Sequence, residues 1–170
     1  MFKIRMLPAD FGDCLWIEYG SEAKPHRLLI DAGTLNTYPH LRRLIESELP
    51  PGQRVFDLLV VTHIDNDHID AAVKLINSPS LGLDVRQVWF NGWSQLVDAD
   101  TLGPRQGEYL SALIQEQKIP HNKSFKGRAA CVPRKGKLPV KRLPGNLTLT
   151  LLSPGPDQLI NLRAEWKALL

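Results

Sequence analysis

From Phe2 to Leu7 apolar and charged residues alternate, with Phe2, Ile4 and Met6 on one face and Lys3 and Arg5 on the other, which predicts a strand. Leu15, Ile17 and Tyr19 resume the pattern after a turn at Gly12-Asp13. Leu28-Leu29-Ile30 is a short apolar run that ends in Asp31-Ala32-Gly33, a strand closed by a glycine turn. Three short strands joined by tight turns predict an antiparallel meander. The period then lengthens: Leu41, Leu44, Ile45 and Leu49 fall on one helical face, and Pro50-Pro51-Gly52 ends the helix. Val55 to Val61 is nearly all apolar, as in a strand buried on both faces. Ile69, Ala72, Val73 and Ile76 predict a further helix, and Val85 to Phe90 a second buried strand.

Tyr109, Leu110, Leu113 and Ile114 predict a helix over residues 107 to 118. A Pro/Gly-rich, basic stretch at about 119–146 reads as loop with short strands, Leu147 to Leu151 as a strand, and Asp157 to Leu170 as a last helix. Strands alternating with helices after a β start predict an α/β (α+β) fold, a sheet covered by helices. Trp89, Trp93 and Trp166 are expected in the core or at an interface, and Asn91-Gly92 as a turn after its strand.

Composition changes this picture little. At 170 residues, residues 1–170 suit one domain or a large part of one. Cys14 and Cys131 stand far apart with no C-x-x-C pair, which predicts reduced thiols and a cytoplasmic setting. No signal peptide and no membrane span is visible. Charge is more informative in its placement than in its sum of +3. Gln117 to Pro156 holds no acidic residue, while Lys118, Lys123, Lys126, Arg128, Arg134, Lys135, Lys137, Lys141 and Arg142 are all basic. Such a stretch is either a solvated loop or a surface that attracts a phosphate-bearing partner. Lys123, Lys126 and Arg128 are the candidates for phosphate binding.

The chemistry concentrates at Thr62-His63-Ile64-Asp65-Asn66-Asp67-His68-Ile69-Asp70, at the end of a buried strand and the start of a helix. On an extended strand exit His63 and Asp65 point the same way, whereas the adjacent Asp67 and His68 diverge. Asp67 or Asp70 could serve only as a helix cap. Capping does not account for two imidazoles crowded with further carboxylates, whose mutual repulsion a cation would relieve. Mixed imidazole and carboxylate ligands suit Zn²⁺ or the harder Mn²⁺.

This segment resembles the H-x-H-x-D-H signature of the metallo-β-lactamase superfamily, with Asp65 in place of the second histidine. The H-x-D-x-D-H form is similar to that of the ComEC-like branch, named for a DNA-uptake channel protein with a nuclease-like domain. Phe11-Gly12-Asp13-Cys14 resembles the G-Q-G-D-A turn of that branch, Leu29 to Gly33 its L-I-D-x-G strand end, and Leu152-Ser153-Pro154 the strand end closing the first half. The resemblance implies an αββα sandwich, with this chain supplying its N-terminal half. It further implies that His63 and Asp65 hold a first divalent ion, and Asp67 and His68 a second. Asp31, with Asp13 and Thr62, would orient the ligands, and Asp67 would be catalytic. A hydroxide generated between two Zn or Mn ions would then attack phosphorus or a carbonyl. Asp70-Ala71 stands where the family has Gly-Gly.

Family members draw further ligands from their second half, whereas this sequence offers only His121 after His68, read as a surface or substrate-side residue more readily than as a ligand. A half-sandwich exposes its sheet, so an oligomer, or a partner or missing segment completing the fold, is expected. Three functions remain open: a phosphodiesterase or nuclease-type hydrolase acting on a phosphate-containing substrate such as nucleic acid, a thioester or lactone-type acyl hydrolase, and a non-catalytic metal-binding module.

Overall fold

The structure, a computed structural model, describes residues 1–96 and 105–168. Leu169 and Leu170 at the end of the expected last helix lie outside the described residues. The strands are β1 (Phe2–Met6), β2 (Leu15–Gly20), β3 (Pro25–Ile30), β4 (Val55–Phe56), β5 (Leu58–Val61), β6 (Asp84–Val85), β7 (Val88–Phe90), β8 (Val140–Arg142) and β9 (Thr148–Thr150). The helices are α1 (Tyr38–Glu48), α2 (Asn66–Ile76), α3 (Trp93–Leu96), α4 (Arg105–Glu116) and α5 (Pro156–Ala168). The expected mixed α/β fold is present.

A five-stranded sheet runs β1-β2-β3-β5-β7. The expected meander β1-β2-β3 is antiparallel, and β5 and β7 then join in parallel to β3. Parallel pairing needs crossovers, which α1 supplies between β3 and β5 and α2 between β5 and β7. Strand alternation divides the apolar residues cleanly. Trp16, Leu29, Leu59, Val61, Val88 and Phe90 pack beneath the helices, around Leu41, Ile45, Ile69, Leu75 and Leu110. Ile17, Tyr19, Leu28, Leu58 and Trp89 face the other way, where Leu143, Leu147, Leu149 and Phe125 cover part of them.

That second face is open at β1. Phe2, Ile4 and Met6 pair with Tyr19, Ile17 and Leu15 and so share their face, yet remain 62%, 53% and 77% exposed. The opposite, polar face of β1 is the engaged one. Arg5 reaches under the sheet to Glu48 on α1 and to Glu18 on β2. Alternation therefore identified the strand, but its apolar side is the one without cover.

The two long apolar runs are each divided. Asp57 breaks the first: its Oδ2 accepts from the backbone N–H of Arg27 at 3.1 Å and pairs with His26 Nδ1 at 2.9 Å. The preceding β4 turns away to pair with β6. Residues 119–146 form the expected loop with short elements, and α5 returns to the helical layer, burying Trp166 beside Trp93. Among the described residues no helix is long and apolar enough to cross a membrane.

Candidate metal centre

The site lies where the parallel strands end. β3 runs into Asp31, which adopts a left-handed backbone (φ 52°) while its N–H donates to Val60 O at 2.8 Å. A non-glycine residue in this region is uncommon and signals a local constraint. Here the bend turns a buried carboxylate, 2% exposed, across the sheet towards the end of β5.

Both oxygens of Asp31 are engaged. The Thr62 N–H donates to Oδ1 at 2.7 Å, and Thr62 Oγ1–H donates to Oδ2 at 2.5 Å. His68 Nδ1 lies 3.1 Å from the same Oδ2, and His63 Nδ1 lies 2.8 Å from Thr62 Oγ1. One proton arrangement satisfies every contact. The Thr62 hydroxyl gives its proton to Asp31 and accepts from His63 Nδ1–H, while His68 Nδ1–H donates to Asp31 directly. In neutral imidazoles this arrangement leaves Nε2 as the acceptor nitrogen of each ring. Their ring centroids stand 4.7 Å apart.

α2 brings the remaining carboxylates. Asp65 is its N-cap residue, extended (φ −70°, ψ 145°), with a side chain that makes no capping bond. Its carbonyl accepts the first bonds of the helical ladder, from the N–H groups of His68 at 2.9 Å and Ile69 at 3.1 Å. Asp67 Oδ2 sits 3.7 Å from His68 Nε2, too far for a hydrogen bond. Burial, and then the neighbouring Asp67 charge, hold the Asp70 carboxyl above its ordinary value.

The start of α2 is itself clamped by the chain. Ala32 N–H donates to His68 O, and Ala71 N–H to Gly33 O, both at 3.2 Å. Gly12 passes so close that a Cβ there would fall 1.6 Å from the Asp67 carbonyl oxygen. Asp13 is exposed beside it, and Cys14 is buried, its thiol pushed up to about 12 by burial and then by the Asp31 charge. Ligand atoms of Asp31, His63 and His68 all lie within 4.8 Å of one another, a group that could hold a metal ion. Asp65 and Asp67 are not in that trio. Asp31 is buried, and both of its oxygens are already engaged by Thr62 and His68.

Beside His63 and Asp65 a cavity of about 500 Å³ opens between the sheet and α5. Trp89, Phe90, Leu151, Leu159 and Leu162 form apolar walls, with Asn91, Gln158, Asn161 and Glu165 as polar groups. The sequence reading missed the α5 contribution. A signal existed: Gln158, Asn161 and Glu165 recur at helical spacing on one face.

The phosphate candidates are placed elsewhere. Lys123, Lys126 and Arg128 are exposed and none lines the cavity. Their loop is tied to β7 at its beginning, where Ser124 bonds Gln87, and Phe125 stands edge-on to Trp89 at 5.0 Å. His121 is half-buried and stands outside the Asp31–His63–His68 group. Its Nε2–H donates to Phe90 O at 2.8 Å, and burial, outweighing that bond, lowers its pKa.

No protein-family model and no curated protein matches the chain. A crystal structure of a Thermotoga maritima protein, provisionally described as a metallo-beta-lactamase, is similar to it with 18% identity and a TM-score of 0.38. The match covers 71% of this chain and 54% of that one, so this chain spans about half of that protein's length. At such a score the functional reading rests on the chain's own residues.

Proposed function

We propose that this chain carries the metal centre of a metal-dependent hydrolase of the metallo-β-lactamase type. The supporting observation is the relay from Asp31 through Thr62 to His63 and directly to His68, which brings the two imidazoles together with their ring centroids 4.7 Å apart and His68 Nε2 3.7 Å from Asp67 Oδ2. Buried carboxylates hydrogen-bonded to ligand imidazoles fix their tautomer in the same way in metal sites generally. His63, His68 and Asp67 would hold Zn²⁺ or Mn²⁺, with Asp65 as the further carboxylate for a second ion. Such ions supply Lewis acidity and an activated water near neutral pH.

A phosphodiester is the first substrate class in this reading, on the strength of the H-x-D-x-D-H form and the acid-free stretch from Gln117 to Pro156. One observation favours an acyl substrate instead: among the described residues no lysine or arginine lines the cavity. Metal analysis followed by assays on bis-p-nitrophenyl phosphate and p-nitrophenyl hexanoate, with Mn²⁺ or Zn²⁺ added, tests both. Asp67→Ala is the control, and metal-dependent turnover that this substitution leaves intact would sink the proposed centre.

A further inference from the structure

We infer that the outward face of the β8–β9 hairpin docks, as a peripheral contact, on the headgroup surface of an anionic phospholipid bilayer. Docking of this kind does not depend on the metal centre. Phospholipid headgroups are themselves phosphodiesters, so it is also compatible with the first substrate class above.

Strand pairing fixes which residues share that face. Val140 stands opposite Thr150, Lys141 opposite Leu149 and Arg142 opposite Thr148. The antiparallel register continues one step past the strands, where Leu151 N–H donates to Pro139 O at 2.9 Å. Alternation then puts Leu138, Val140 and Arg142 on one face with Thr148, Thr150 and Leu152. The other face is engaged: Leu149 packs on the sheet, and Lys141 Nζ lies 4.5 Å from the centre of the Phe125 ring. Leu151 shares this inward face and lines the cavity beside His63, so the hairpin is an outer wall of that cavity. The outward aliphatic side chains are bare, with Leu138 45%, Val140 55% and Leu152 74% exposed.

Charge selects the partner. Gln117 to Pro156 contains no Asp or Glu, and the first acidic residue after it, Asp157, is held by both terminal guanidinium nitrogens of Arg134 at 2.9 and 2.5 Å. Lys135 and Lys137 lead into Leu138, Arg142 shares its face, and all three cations are exposed. Cations beside bare aliphatic side chains match a bilayer interface. There the apolar groups sink below the headgroups, and each Lys or Arg strengthens binding to an anionic surface about fivefold. A nucleic-acid strand fits less well, because unpaired bases stack on open aromatic rings. The stretch holds one Phe and no Tyr or Trp, and that Phe125 is half-buried, edge-on to Trp89 at 5.0 Å and covered by Lys141.

Flotation of the purified chain with phosphatidylcholine vesicles, with and without one quarter phosphatidylglycerol, tests this. The chain is expected to float with the anionic vesicles at low salt, less at high salt, and not with phosphatidylcholine alone. Leu138→Ser combined with Leu152→Ser should weaken vesicle binding by about tenfold or more. Lys135→Ala combined with Lys137→Ala should weaken it about 25-fold. All four positions are exposed, and circular dichroism checks that both variants fold. Ile4→Glu, on the other open apolar surface, should float like the wild type. Absence of flotation with anionic vesicles at low salt overturns the docking face, as does flotation that the hairpin variants leave unchanged or that Ile4→Glu alone removes. Two further results overturn it by reassigning the face. Binding of an oligothymidylate without flotation gives it to a nucleic-acid strand, and a dimer that the Leu138 and Leu152 substitutions dissolve, again without flotation, gives it to a second copy of the chain.

Discussion

Asp31 Oδ2 accepts from His68 Nδ1 at 3.1 Å across a separation of 37 residues, which ties the end of β3 to the first turn of α2. The same carboxylate anchors Thr62 through its backbone and its hydroxyl. Two consequences follow for Asp31→Ala. Loss of the orienting carboxylate should weaken Zn²⁺ affinity about 10- to 100-fold. Leaving the Thr62 N–H unpaired should cost about 1–3 kcal/mol of stability. Chelator competition and urea denaturation measure the two effects, and unchanged Zn²⁺ affinity would show that Asp31 orients nothing.

Gly12 gives a prediction of a different kind, because its backbone is unstrained and only space is at issue. A Cβ 1.6 Å from Asp67 O cannot be accommodated without moving either the 9–14 turn or the start of α2. Gly12→Ala should destabilise the protein by about 1–3 kcal/mol, the usual cost of overpacking. It should also reduce Zn²⁺ affinity, since Asp67 and His68 move with the helix start. A Gly12→Ala protein with wild-type melting temperature and wild-type metal uptake would contradict the close approach.

How far the sequence carried the reading depends on whether the determining contact was local. Strands and helices came from periodicity, which reports local geometry, and the His63–His68 segment came from spacing. Asp31 is different. Its part was suggested only by resemblance to a strand-end motif, because nothing in linear spacing joins residue 31 to residue 68. The division of Val55–Val61 was hidden for the same reason: Asp57 breaks the run to satisfy His26 and Arg27 on a neighbouring strand. At β1 the pattern identified the faces correctly but not their burial. Which face is covered depends on what packs there, and α1 brings Glu48 to the polar one. The basic stretch was a real segregation of charge, and only the tertiary structure shows that its Lys123, Lys126 and Arg128 lie outside the cavity's lining.

His121 makes stability depend on pH in a definite direction. Burial lowers its pKa from the ordinary 6.5, so between the folded and unfolded values the unfolded chain binds more protons. The contribution of His121 is full above about pH 6.5 and is lost as pH falls below it, because protonation must occur in a desolvated site. His121→Gln retains a donor for Phe90 O but cannot titrate. Chemical denaturation at pH 7.5 and 5.5 should show a smaller loss for the variant than for the wild type. Equal losses would remove His121 as the cause.

The open face of β1 yields the last prediction. Phe2, Ile4 and Met6 stand exposed in a row beside the buried Ile17 and Tyr19, and contiguous exposed apolar residues of this kind mark an interface. Edge strands also offer unpaired backbone groups, and proteins ordinarily blunt them with charge. Here the outward side of β1 is apolar and its charges, Lys3 and Arg5, are on the other side, so the usual protection is absent. The wild-type chain is therefore expected to self-associate or to bind a hydrophobic dye. Ile4→Glu should reduce the association at least tenfold while leaving Zn²⁺ affinity unchanged, since β1 contributes no candidate ligand. Multi-angle light scattering across a concentration series reads the outcome. A wild-type chain that stays monomeric at high concentration and binds no dye would mean that this face tolerates water as it stands.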